Sequence, residues 1–200
     1  MIRNVVFDME NVLLDFAPER YLRNFVAEES DRALLRRELF GSVEWVMTDH
    51  GALDDEGLCA AVCGRVPERL HGTVRRILAH WYEDMPAYPG VEALIGRLLA
   101  QGYRLYVLSN VSSHYDVMRR GIPHIGEFAG EFTSCKAHLL KPEPAIFAAF
   151  CEEFRLKPEE CLFIDDQKIN VYGAMRVGMQ GLVYYGRPED VERRLEELNR

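Results

Sequence analysis

Residues 90–110 read GVEALIGRLLAQGYRLYVLSN, an amphipathic helix stopped by Gly102 and followed at once by a short apolar strand. The same alternation continues downstream. SSHYDVMRR (112–120) reads as helix, GEFTS (130–134) as strand and PAIFAAFCEEF (144–154) as helix. CLFIDD (161–166) reads as strand, NVYGAMRVG (170–178) as helix, QGLVYY (180–185) as strand and PEDVERRLEEL (188–198) as helix. Strands that alternate with helices predict right-handed βαβ units and a parallel sheet with helices on both faces. Upstream, IRNVVF (2–7) is a further apolar run and ends at Asp8.

The chain between these parts has a different texture. Residues 18–85 carry no strand signal. PERYLRNFVAEE places Pro18 at a first helical position, Ser30 suits the N-cap of SDRALLRRELF, and Asp54 or Asp55 suits that of DDEGLCAAVCGRV. PERLHGTVRRILAHWYED (67–84) closes the block. The expected architecture is therefore α/β: a Rossmann-like parallel sheet from residues 1–16 and 86–200, with a small all-helical cap, residues 17–85, inserted after the first strand.

Composition excludes several classes. The chain has 200 residues, 48% hydrophobic and 28% charged, as in an ordinary globular protein rather than a disordered, fibrous or disulfide-stapled one. A net charge of −8 argues against nucleic acid or anionic lipid as partner. No run reaches the ~18 apolar residues of a membrane span. Asp8, Glu10 and Asp15 interrupt the apolar start, unlike the core of a signal peptide, so a cytoplasmic protein is expected. Five cysteines without a CxxC pair fit a reducing compartment, and Cys59 and Cys63 read as core packing rather than as metal ligands. No self-complementary patch marks an oligomer.

Ligands of open α/β sheets bind outside the carboxyl ends of the strands. Asp8 and Glu10 follow the first strand, Ser109 and Asn110 end the second, Lys141 follows the third and Asp165-Asp166 end the fourth. Four acids brought together repel one another and require a cation; oxygen donors with room for phosphate and water suit Mg²⁺. With a lysine alongside, the set fits phosphoryl transfer, in which negative charge spreads over three oxygens. An Asp can act as the nucleophile and a second carboxylate as general acid and base.

The segments FDMENVLLDF, VLSN, KPEPAIF and FIDDQKIN, in this order, resemble the four motifs of the haloacid dehalogenase (HAD) superfamily over residues 2–15 and 88–185. The texture is similar to the subgroup with a small helical cap that includes bacterial α-D-glucose-1-phosphate phosphatase and the N-terminal phosphatase domain of soluble epoxide hydrolase. The resemblance implies a Mg²⁺-dependent phosphatase of a small phosphate ester, a hexose 1-phosphate being one example. It implies Asp8 as nucleophile and metal ligand, and Glu10 as a ligand through its backbone carbonyl and as acid/base through its side chain. It assigns Ser109, Asn110 and Lys141 to the phosphoryl group. Asp166 becomes the principal acidic ligand, with Asp165 direct or through water, and Asn170 braces their loop. The departure is Glu10, where the superfamily usually has Asp. That change makes a catalytically weakened binding or regulatory protein the alternative; a phosphomutase or a haloacid dehalogenase fits less well. In the helical insert, Trp45, Met47, Asp49 and His50 are weak candidates for a wall of the crevice, and no histidine matches a motif.

Overall fold

The computed structural model describes residues 1–83 and 85–200; Asp84, the last residue of the expected helical stretch, lies outside the described residues. Five strands form one parallel sheet: β1 (Asn4–Phe7), β2 (Arg104–Ser109), β3 (Gly130–Thr133), β4 (Cys161–Asp165) and β5 (Gln180–Val183), in the order β3-β2-β1-β4-β5. β1 is central. Its Phe7 is in register with Val107 of β2 on one side and Ile164 of β4 on the other. That register brings Asp8, Ser109 and Asp165 to one edge of the sheet.

The strands are apolar on both faces, and their alternation divides the core in two. Val5, Phe7, Leu105, Val107, Leu162 and Ile164 pack with Leu94, Ile95 and Leu98 of α6 (Val91–Ala100) and Val191 and Leu195 of α11 (Pro188–Asn199). Val6, Tyr106, Leu108, Phe132 and Phe163 pack on the other face with Ile146, Phe147 and Phe150 of α9 (Pro144–Glu153) and Ala174 of α10 (Lys168–Arg176). Each fully buried side chain of this size contributes about 1.5–3 kcal/mol.

Between β1 and α6 the described residues form helices: α1 (Pro18–Phe25), α2 (Glu29–Leu35) running into a π-helical turn (Arg36–Phe40), α3 (Val43–His50), α4 (Asp55–Cys63) and α5 (His71–His80). Pro18 opens α1, and the Asp54 carboxylate caps α4 by accepting from the Gly57 N–H at 2.8 Å. Ser30 does not cap: α2 begins one residue earlier, behind a turn where Arg32 donates to the carbonyls of Val26 (3.0 Å) and Ala27 (2.5 Å). The expected helix over 112–120 is short, α7 (Tyr115–Met118) and one 3₁₀ turn, and ends at Gly121; a single helical turn, α8 (Ser134–Ala137), follows β3. The segment leaving β1 and the segment returning to α6 run side by side. Asp15 N–H donates to the Pro86 carbonyl and Tyr88 N–H to the Leu13 carbonyl, both at 2.9 Å.

Candidate active site

Asp8 follows β1 directly, and the chain then folds back on itself. The Met9 carbonyl accepts from the Leu13 and Leu14 N–H groups at 2.9 Å, and Asn11 N–H donates to the Leu14 carbonyl at 2.7 Å. The tight turn needs a left-handed residue, and Asn11 supplies it at φ +59°, a region Asn tolerates. Its side-chain amide donates to Asp166 Oδ2 at 3.3 Å, tying the loop after β1 to the loop after β4.

Lys141 stands at the centre. Only 4% exposed, its ammonium lies 2.7 Å from Asp8 Oδ1 and 2.8 Å from Asp165 Oδ2. The Phe163 ring lies 5.4 Å from the ammonium, close enough for a cation–π contact. The lysine is held by its backbone: its N–H donates to Asn110 Oδ1 (2.9 Å) and its carbonyl accepts from Asn110 Nδ2 (3.0 Å). The Asn110 side chain, expected on a phosphoryl group, is therefore committed to the loop of Lys141. Gly173 of α10 leaves room for that loop, since a Cβ there would lie 2.4 Å from the Pro142 carbonyl oxygen.

The carboxylates differ in their surroundings. Asp165 is fully buried and surrounded by donors: Gln167 N–H (2.8 Å) and Asn170 Nδ2 (3.1 Å) reach Oδ1, while Lys141 and Asn170 (3.1 Å) reach Oδ2. Asn170 thus touches the acid it is expected to brace. Asp8 receives Lys141 and the Met9 N–H, each at 2.7 Å, on Oδ1 alone, which leaves Oδ2 without a hydrogen bond among the described residues. One oxygen from each of Asp8, Asp165 and Asp166 falls within 4.8 Å of the others, a donor set that can hold a cation. The Glu10 side chain stands outside this trio. Burial pushes the Asp8 carboxyl up to about 7 against the pull of Lys141. Burial, then the charges of Asp49 and Asp8, hold Glu10 well above the usual range; burial and Asp165 raise Asp166. These shifts mark a surplus of negative charge, which a hard divalent ion would offset through oxygen ligands.

Ser109 is fully buried at the end of β2, and the Val111 N–H beyond it is taken by Ser134 Oγ at 2.9 Å. Above the sheet edge is a cavity of about 370 Å³. Its floor is Asp8, Glu10, Asn110, Lys141 and Asp166; its opposite wall is Phe16 with Trp45, Val46 and Asp49 of α3. Of the four weak candidates in the insert, Trp45 and Asp49 reach this wall. Met47 is 37% exposed, and the His50 carbonyl pairs with His138 Nδ1 at 3.1 Å. Sequence reasoning did not find Phe16, Asn11 or Ser134. The only cue was the Asn that follows Glu10, a residue type that favours turns.

The chain belongs to the haloacid dehalogenase-like hydrolase family, whose profile matches residues 2–178. It is thus a hydrolase by family. It is 25% identical over 219 residues to phosphoglycolate phosphatase of Pseudomonas putida, covering 95% of this chain and 74% of that one. It is 27% identical over 142 residues to flavin mononucleotide hydrolase 1 of Arabidopsis thaliana, covering 70% of this chain and 56% of the relative's length. A 25% identity to (S)-2-haloacid dehalogenase 4A of Burkholderia cepacia covers 88% and 80%. Among solved structures, a HAD family enzyme of Bacteroides thetaiotaomicron, in complex with magnesium and inorganic phosphate, superposes with a TM-score of 0.70 at 20% identity and covers 93% of this chain and 96% of that one. No helix among the described residues is long and apolar enough to cross a membrane.

Proposed function

We propose that the chain is a Mg²⁺-dependent phosphatase of small phosphate esters, sugar phosphates such as a hexose 1-phosphate included, acting through an aspartyl-phosphate on Asp8. The observation that carries this reading is the arrangement around Lys141. One Asp8 oxygen is held by an ammonium and an N–H, and the other is free beside Asp166 at the floor of the cavity. The phosphatase names among the relatives, P. putida phosphoglycolate phosphatase and Methanopyrus kandleri glyceraldehyde 3-phosphate phosphatase, point the same way. The five unpaired cysteines support a reducing, cytoplasmic setting.

Asp8, Asp166 and the Glu10 backbone carbonyl would hold the ion, with Asp165 behind them, in contact directly or through water. Bound there, Mg²⁺ would neutralise charge on the phosphoryl oxygens. Asp8 Oδ2 attacks phosphorus, the ester P–O bond breaks, and Glu10 gives its proton to the departing oxygen. A water then attacks phosphorus, Glu10 takes a proton from it, and the Asp8–phosphorus bond breaks to release phosphate. Ser109 and Lys141 bind phosphoryl oxygens, while Asn110 contributes by fixing Lys141. Residues 17–85 act as a cap that excludes bulk water during the first step.

The test is phosphate release from a panel of small esters with Mg²⁺ and with chelator, beside Asp8→Asn. Mg²⁺-dependent turnover, lost in the variant, is expected. Chloride release from 2-chloro acids without any phosphate release would overturn the proposal in favour of the dehalogenase chemistry named in other relatives.

A further inference from the structure

The C-terminal end of α3 is pinned to the sheet domain at three consecutive residues. The Asp49 carbonyl accepts from Ser134 Oγ at 2.5 Å, the His50 carbonyl pairs with His138 Nδ1 at 3.1 Å, and Gly51 sits so close that a Cβ there would lie 2.4 Å from the Cys135 carbonyl oxygen. Pinned in this way, α3 presents Asp49 to the cavity that Asp8 and Glu10 also line. Its charge is felt at Glu10.

Among the described residues this carboxylate has neither a hydrogen bond nor an ion pair. Other acids of the insert are matched to arginines: Asp31 to Arg69, and Glu38 and Glu44 to Arg65. Asp49 is half-buried, and burial, then the charge of Asp8, pushes its carboxyl up to about 7. An acceptor kept unpartnered in a partly dry wall costs stability unless a ligand completes it.

The rest of the cavity says which ligand. Lys141 is the one cation among its lining residues, and it is already bound to Asp8 and Asp165. No second cation waits for a negatively charged leaving group. Phe16 and Trp45 line the same cavity as Asp49; their rings, 6.2 Å apart, belong to an aromatic cluster with Phe40 and Trp81 and give this wall an apolar surface suited to C–H groups.

We infer that Asp49 is the specificity residue of this site: its carboxylate accepts hydrogen bonds from hydroxyl or ammonium groups on the leaving alcohol, and its charge rejects esters of hydroxy acids. The inference rests on the phosphatase reading and narrows its substrate class. It separates this chain from the P. putida relative named for phosphoglycolate, an ester whose departing alcohol carries a carboxylate.

The experiment compares kcat/KM for four esters with the wild type, Asp49→Asn and Asp49→Leu, with Mg²⁺ present and at a pH about 1.5 units above the value to which burial pushes Asp49, so that its carboxyl is ionised. The esters are glycerol phosphate (hydroxyl donors), phosphoethanolamine (ammonium), phosphoglycolate (carboxylate) and p-nitrophenyl phosphate, which carries neither donor nor charge on its leaving group. The wild type is expected to prefer a donor-bearing ester over phosphoglycolate by at least about tenfold, as expected for a charged hydrogen bond against a like-charge clash. Taken relative to p-nitrophenyl phosphate, so that any change at Glu10 common to all esters cancels, Asp49→Leu lowers kcat/KM for that ester about 10- to 100-fold and raises it for phosphoglycolate. Asp49→Asn distinguishes the donors, because an amide oxygen still accepts from a hydroxyl but no longer pairs with an ammonium. Asp49 has no protein partner, so both variants should melt no lower than the wild type, and melting checks this directly. A wild type that prefers phosphoglycolate, or a ranking unmoved by either variant while p-nitrophenyl phosphate is hydrolysed, overturns the inference and leaves the phosphatase intact. Failure of the wild type on all four esters and on a hexose 1-phosphate overturns the phosphatase reading beneath it.

Discussion

Replacing Lys141 with methionine keeps most of the side chain's volume and removes its charge. The lysine is 4% exposed and faces two carboxylates, at 2.7 and 2.8 Å, that are 5% and 0% exposed. Removing one partner of a buried ion pair leaves an uncompensated charge and costs about 3–5 kcal/mol. In a chain of this size 1 kcal/mol moves the melting temperature by about 2–4 °C, so Lys141→Met should melt about 6–20 °C lower at neutral pH. The loss must also be coupled to its partner. In the double variant Lys141→Met/Asp165→Asn one of the stranded charges is gone, so the double variant should be more stable than the sum of the two single effects predicts by about 0.5–3 kcal/mol. Urea unfolding of the four proteins in metal-free buffer measures the cycle. A Lys141→Met loss under about 1 kcal/mol, or strict additivity in the double variant, would refute the view that the lysine offsets charge the sheet edge cannot tolerate alone.

Asn170→Ala removes two 3.1 Å contacts to the fully buried Asp165 and should cost about 1–3 kcal/mol; retention of wild-type stability in urea would show that Gln167 and Lys141 suffice. Gly51→Ala adds a Cβ against the Cys135 carbonyl oxygen at φ +75°. The left-handed backbone alone costs about 1–2 kcal/mol, so a lower melting temperature and a raised KM are expected, and an unchanged KM would mean that α3 need not sit where it does. Mg²⁺ affinity should fall as pH drops through 7. Burial holds the Asp8 carboxyl up to about 7, so below that pH the ion must displace a proton, and above it the affinity levels off; equal affinities by calorimetry at pH 6 and 8 would contradict this.

The fold was legible because its signal is local and repeated. Residues 90–110 carry a complete helix, stop and strand, and Gly102 takes the left-handed conformation, φ +82°, that its place after the helix implied. The strand-end residues were legible for a related reason. In a parallel sheet every strand delivers its carboxyl end to the same edge, so Asp8, Ser109 and Asp165 meet although more than 150 residues separate the first from the last. What could not be read is what tertiary docking decides. Asp49 lines the cavity on an α3 that is fastened to Ser134 and His138, and Phe16 lines it from the segment held by the Asp15–Pro86 backbone hydrogen bond; nothing in the local pattern of either segment states those contacts. Asn110 illustrates a different limit. Its position at a strand end was visible, yet the reciprocal amide pairing with Lys141 depends on a loop 31 residues away.

The site and the core divide the physical work. Asp8, Glu10, Asp49 and Asp166 all hold their protons more tightly than free carboxyls do, burial being the first cause for each. A folded state that raises carboxyl pKa values loses stability as pH rises through the shifted range, so this edge of the sheet opposes folding at neutral pH. The fold tolerates it because the strands beneath are apolar on both faces and bury Val5, Val6, Phe7, Phe163 and Ile164 completely or nearly so. The same surplus of negative charge bears on Glu10. Burial, then the charges of Asp49, Asp8 and Asp166, hold its carboxyl well above the usual glutamate range, which favours the protonated form that the proposed transfer to a departing oxygen requires. Substituting Glu for the usual Asp lengthens the reach by one methylene but leaves the sources of that proton affinity, burial first and the neighbouring acids second, in place. In the proposed mechanism the added methylene therefore bears on where the Glu10 carboxyl points more than on its affinity for a proton.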